Sequence, residues 1–197
     1  MNDFWNQRYS ASEYAYGEEP NRFLVNELAN LVPGKILFPA EGKGRNAVYA
    51  AQKNWDVSAF DPSTEGKKKA LQLAKLHEVS IDYKLATYEN VYFAPESFDC
   101  IVLIFAHMPA LKRTGYHQKL LSFLKPGGTI ILEAFSKEQI HNNSGGPRDI
   151  EMLYSKEELQ FDFSELSELS IIKRETELNE GLYHIGKASV ISLVGKK

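Results

Sequence analysis

Several features are scarce in this chain, and each scarcity excludes a class of protein. A single cysteine, Cys100, stands in 197 residues, so no internal disulfide can form and a cross-linked secreted scaffold is excluded. It lies within the apolar run 98–105 and reads as a small buried strand residue. No apolar stretch approaches the roughly 18 residues needed to cross a bilayer. The start, Met1-Asn-Asp-Phe-Trp5, lacks the basic and apolar regions of a leader, which predicts a cytoplasmic protein with no membrane partner. Positive charge is also sparse. The net charge is −3, and the one basic run, Lys67-Lys-Lys69, reads as the solvated face of a helix, so no nucleic-acid partner is expected. The five histidines show no paired spacing of three or four, so no metal site is expected; His77 and His117 are placed on exposed helix faces. What remains, 43% hydrophobic and 25% charged residues, is the composition of an ordinary globule, read as one domain over 1–197.

The most informative segment is 35–49, where an apolar run breaks at Gly42-Lys-Gly44 and resumes with helical spacing. A strand, a tight glycine turn and a helix N-terminus in that order form the geometry with which α/β proteins bind nucleotides. A second apolar run, Trp55 to Phe60, stops at Asp61, placing a carboxylate at the end of the next strand beside the turn, where it suits a ribose with free hydroxyls.

The rest of the chain alternates. The spacing predicts helices over 21–31, from Pro62-Ser63 to about His77, and over 111–124, with strands over 79–85, 100–106 and 129–135. Strands alternating with helices imply a doubly wound, mainly parallel sheet. Ser155-Lys-Glu-Glu158 fits a capping box opening a short helix. Residues 168–178 and 182–194 are β-rich and joined by Asn179-Glu-Gly181, too short for a crossover helix, so they must pair as an antiparallel hairpin. That makes seven strands in all. Between them and the fifth strand lies a polar stretch, 136–148, centred on Asn142-Asn-Ser-Gly-Gly-Pro147, long enough to read as a functional loop.

The glycine turn alone, with Asp61 17 residues past Gly44, would also pass for a dinucleotide fingerprint and an NAD(P)-dependent oxidoreductase. The Phe98-Asp99 pair opening the fourth strand, the Leu124-Lys-Pro-Gly-Gly128 turn and the terminal hairpin together resemble class I S-adenosylmethionine-dependent methyltransferases. Within that superfamily, Gly42-Lys-Gly-Arg-Asn46, Trp55 to Asp61 and the opening Phe4-Trp-Asn-Gln-Arg-Tyr9 are similar to the tellurite-resistance and thiopurine-methyltransferase group.

The resemblance implies S-adenosylmethionine as cofactor, S-adenosylhomocysteine as product, and a small-molecule acceptor such as a thiol or metalloid oxyanion. It implies that Gly42 and Gly44 admit the cofactor, Asp61 holds its ribose, Thr87 and Tyr88 meet its adenine, and Phe105 faces its sulfonium. Trp5, Arg8 and Tyr9 would fold over it, with Arg8 on its carboxylate. The superfamily's aspartate and first glycine are here Phe38 and Ala40, so Glu41 is expected to supply the missing charge, with Asn46 beside it. That departure also keeps open a cofactor-binding sensor without catalysis. His107 is the candidate base, and Tyr14, Tyr16 and Arg148 are expected to line the acceptor side with it. The implied division is a covering segment 1–33, a cofactor core 34–135, a substrate loop 136–154, and a helix with terminal hairpin 155–197, in a monomer or weak homodimer.

Overall fold

The computed structural model describes residues 2–11 and 14–197. Its elements are α1 (Asn2–Ser10), α2 (Arg22–Leu28), β1 (Lys35–Pro39), α3 (Arg45–Gln52), β2 (Asp56–Asp61), α4 (Thr64–Leu76), β3 (Asp82–Leu85), β4 (Phe98–Ile104), α5 (Ala110–Phe123), β5 (Leu124–Phe135), α6 (Lys156–Asp162), β6 (Ser167–Asn179) and β7 (Ile185–Lys196). The strands form one sheet in the order β3-β2-β1-β4-β5-β7-β6. The first five run parallel, and β7 enters antiparallel between β5 and β6. β1 lies between β2 and β4, so the strand order reverses there and opens a crevice at the carboxyl ends.

Local signals set these elements. Asn21 caps α2 by accepting from Leu24 N–H, Ser63 caps α4 through Gly66 N–H, and Ser155 and Glu158 make the reciprocal capping box of α6. The sheet is covered on both faces. Leu24, Leu28, Phe38, Val48 and Leu73 pack one side under α2, α3 and α4, while Leu37, Ile101, Leu120, Phe123 and Phe163 pack the other under α5 and α6. Phe38 is therefore core, 1% exposed. The opening pair of β4 is structural too: Phe98 is buried, and Asp99 accepts from Lys35 N–H at 2.8 Å and Lys125 Nζ at 2.7 Å.

Three sequence expectations fail. His117 is not on an exposed face; it is fully buried, its Nδ1 2.8 Å from Asp162 of α6, because α6 packs across α5 and brings a carboxylate to it. Lys69 is likewise buried rather than solvated, since the segment after α1 crosses it and offers the Ala11 carbonyl to its ammonium. β4 also ends earlier than expected, at Ile104, because Phe105 turns into the left-handed region with φ 50°. The segment 136–154 is pinned rather than loose. Gln139 is buried, accepts from Ser189 N–H at 2.8 Å and donates to Ser144 Oγ at 2.9 Å, which fastens the short 3-10 turn Lys137–His141 to β7, while a second, Ile150–Met152, is held through its Met152 carbonyl, 2.9 Å from His107 Nδ1. Among the described residues no helix is long and apolar enough to cross a membrane.

Candidate active site

The crevice begins where β1 ends. Ala40 takes φ 52°, a conformation that costs a residue with a Cβ about 1–2 kcal/mol. Glu41 follows and turns back: its Oε1 accepts from Asn46 N–H at 2.9 Å and Ala47 N–H at 2.8 Å, capping α3 where Gly44 has no side chain to do so. Burial, working against these bonds and Arg45, pushes the Glu41 carboxyl up to about 7. The two glycines serve different ends. A Cβ on Gly44 would fall 2.6 Å from the Ala70 Cβ, so this glycine lets α3 approach α4. A Cβ on Gly42 would fall 2.7 Å from the Tyr9 hydroxyl, so this one faces the crevice. Asp61 closes the far side. Its Oδ1 accepts from Ser63 N–H at 2.8 Å and its Oδ2 from Gly42 N–H at 3.2 Å, and burial raises it to about 6 against both bonds. Tyr83 of β3 donates to the Gly42 carbonyl at 2.6 Å and fixes the turn.

The N-terminal helix lies over this turn. Asn6 accepts from Ser63 Oγ at 2.7 Å, docking α1 on the start of α4. Trp5 stacks on Tyr9 with ring centroids 5.4 Å apart, and Tyr9 is buried over Gly42 and Gly66. Arg8 points the other way, between the rings of Phe4 and Tyr183, and donates to the Tyr16 hydroxyl at 3.1 Å. A cavity of about 40 Å³ remains, lined by Tyr9, Tyr16, Gly17, Glu41, Lys43 and Arg45.

Beyond β4 the surroundings become aromatic. Phe105 packs on Phe135 (4.6 Å) and His184 (4.7 Å), and the Phe105 carbonyl accepts from His107 N–H at 3.1 Å in a tight turn. His107 lies parallel to Phe135 at 5.6 Å, with Nδ1 2.9 Å from the Met152 carbonyl, while its enclosed Nε2 meets no partner among the described residues. Burial pushes His107 down to about 4, more than the Met152 bond restores. On the hairpin, Leu182, Tyr183 and Ile185 are 63%, 45% and 57% exposed, yet His184 between them is 5% exposed. Its Nδ1 is 3.4 Å from Glu180, which in turn takes Arg45 at 2.8 Å. Burial lowers His184, opposed by Glu180. Burial acts upward on Glu180, but His184 and Arg45 outweigh it and hold this carboxyl at about 2.

Comparison with known proteins accords with this geometry. Residues 36–128 match the family model of a methyltransferase domain. Thiopurine S-methyltransferase of Vibrio cholerae is 26% identical over 163 residues, covering 74% of each chain. That of Legionella pneumophila is 23% identical over 213 aligned positions, covering 95% of this chain and 93% of its own. The domain match, these relatives and the fold support a class I S-adenosylmethionine-dependent methyltransferase. TehB of Haemophilus influenzae shares the fold, with a TM-score of 0.74 at 17% identity over all of this chain and 66% of its own.

The residues expected at this methyltransferase's site are placed differently. Trp5, Tyr9, Gly42 and Asp61 converge on the crevice, as described. Gly44 and Asn46 face away from it: the Asn46 side chain accepts from Asn21 N–H at 2.9 Å. Thr87 bonds Asn90 in its own turn, and Tyr88 stacks on Tyr116 with its hydroxyl enclosed and unpartnered among the described residues. Of the residues expected to line the acceptor, Tyr16 lies 4.5 Å from the His184 ring, whereas Tyr14 packs back toward α4, donating to the Lys69 carbonyl at 3.3 Å. Arg148 is exposed and bonded within its loop, to the Asn142 carbonyl and Asn143. That loop reaches the aromatic cluster through its glycines: a Cβ on Gly145 would fall 2.6 Å from His184, and one on Gly146 2.8 Å from Phe135. Sequence reasoning missed Arg45, Glu180, His184 and Phe135. The one available signal was a histidine set among apolar residues in the hairpin turn.

The crevice suits the cofactor that the methyltransferase family implies. A glycine whose missing Cβ opens it, a desolvated carboxylate at the second strand end, and aromatic rings above fit a nucleoside with free hydroxyls.

Proposed function

We propose that this methyltransferase binds S-adenosylmethionine between the Gly42 turn and Asp61 and methylates a small soft acceptor, a thiol or a metalloid oxyanion, beside Phe105 and His184. Asp61 carries the reading. A carboxylate held in a buried site at the end of β2, with one backbone donor on each oxygen, keeps lone pairs for ribose hydroxyls. When bound, S-adenosylmethionine supplies an electrophilic methyl on a sulfonium.

The chain's own residues do the rest. Gly42 admits the cofactor, Tyr9 and Trp5 cover it, and Thr87 and Tyr88 border the adenine end. The Phe105 ring offers a sulfonium the attraction that aromatic faces give cations. Aromatic walls around the acceptor exclude water, and transfer then depends on alignment. In this reading residues 1–33 cover the cofactor, 34–135 bind it, and the 136–154 loop with the terminal hairpin bounds the acceptor. The kinship with thiopurine S-methyltransferases supports a thiol as the first acceptor to try.

The test is calorimetric titration with S-adenosylmethionine and S-adenosylhomocysteine, wild type against Asp61→Ala, followed by turnover of thiols and tellurite. Micromolar binding lost in the variant is the expected result. Binding unaffected by the variant would place the cofactor elsewhere.

A further inference from the structure

We propose that His184, backed by Glu180 and Arg45, is the proton acceptor of this site. The assignment rests on the thiol-methylation reading above and deepens it.

Two histidines flank Phe135, and the groups behind them differ. The Nδ1 of His107 has a neutral carbonyl behind it, that of Met152, and its Nε2 is enclosed. A proton gained there would create a cation with no carboxylate to meet it. Behind the Nδ1 of His184 stands Glu180, and Arg45 fixes that carboxylate from its other side. Nδ1–H donating to Glu180 sets the tautomer and leaves Nε2, which has no hydrogen-bond partner among the described residues, as the acceptor. The ring is held against Phe105, at the end of β4, and against Tyr16, which lines the cavity beside the Gly42 turn. Its burial amid exposed apolar neighbours shows that the hairpin turns this side chain inward. The ionisable groups facing His184 are Glu180 on its own hairpin, Arg45 from α3, Arg8 from α1, Tyr16 from the segment before α2, and His107 past β4.

The step balances. The thiol sulfur bonds to the methyl carbon, the carbon–sulfonium bond breaks with its electron pair left on sulfur, giving S-adenosylhomocysteine, and the thiol proton passes to His184 Nε2. The resulting imidazolium is met by Glu180 through Nδ1–H.

Two measurements test this. In the protein without cofactor, histidine NMR titration is expected to show the His184 midpoint falling by about one unit or more in Glu180→Gln, because a carboxylate favouring the charged form is gone. An unmoved or raised midpoint would overturn the coupling. The second compares 2-mercaptoethanol, largely un-ionised at neutral pH, with 4-nitrothiophenol, already ionised. His184→Gln is expected to lower kcat about 10²–10⁴-fold on the first and far less on the second, with S-adenosylhomocysteine affinity retained, and imidazole is expected to restore part of the loss in His184→Ala. Equal losses on both thiols, with no rescue, would overturn the base role alone. A wild-type protein that binds S-adenosylhomocysteine but turns over neither thiol would overturn the thiol reading and the base together, leaving the cofactor site intact.

Discussion

Replacing Asp61 with Asn is expected to make the protein more stable and less able to bind its cofactor. Burial raises this carboxyl from the ordinary 3.8 to about 6. A shift of about two units corresponds to about 3 kcal/mol of folding free energy lost once the group is ionised. The sign follows from proton counting. Between those two pH values the folded state holds a proton that the unfolded state has released, so the stability present below about pH 4 declines as pH rises through about 6. Asparagine removes the charge but has one carbonyl oxygen. It keeps the 2.8 Å bond from Ser63 N–H and gives up the 3.2 Å bond from Gly42 N–H, at about 1 kcal/mol. The net gain at pH 8 is about 2 kcal/mol, or about 4–8 °C in Tm for a chain of this size. Thermal melts of both proteins from pH 4 to pH 8 check it, and the gap should open with rising pH. Calorimetry on the same samples should show S-adenosylmethionine affinity reduced at least tenfold. A variant less stable than wild type at pH 8, or a gap that does not change with pH, would refute the argument that this carboxylate is held at a cost for binding.

Three further outcomes are expected. Gly44→Ala should destabilise by about 2 kcal/mol or more, through φ 89° and a clash with Ala70, whereas Gly115→Ala, within α5 with no atom near its missing Cβ, should stabilise by about 0.5–1 kcal/mol; denaturant midpoints separate the two. Ala40→Gly relieves a left-handed alanine but loosens the unfolded chain, so a net gain of about 0.5 kcal/mol is expected in the same assay, and a loss of stability would show that the methyl packs better than its strain costs. Arg148→Ala should change stability by less than about 0.5 kcal/mol because the side chain is exposed, while raising KM for an anionic acceptor such as tellurite and not for a neutral thiol; equal KM values would remove Arg148 from the site.

Much of the fold was legible because its signals are local. The glycine turn between an apolar run and a helix, the Ser155–Glu158 box and the short Asn179-Glu-Gly181 connection each fix a backbone conformation within a few residues. The crevice was legible for the same reason, since a strand end followed by Gly42 and another ending in Asp61 become neighbours in any parallel sheet of this order. His117 and Lys69 were misread because a helical stripe reports apolar faces, and a charged or polar side chain enters the core only when a distant group arrives to pair with it, here Asp162 and the Ala11 carbonyl.

The sequence by itself determined the alternation of elements, the antiparallel end of the sheet and the crevice between the Gly42 turn and Asp61, all of which follow from periodicity and turn chemistry. Only the tertiary structure decided the cluster around His184. Phe105 was expected at the site, but Arg45, Phe135, Glu180 and His184, which gather around it, come from three other parts of the chain. No local pattern links them, and they meet because β7 inserts between β5 and β6 and brings the hairpin turn back over the end of β4.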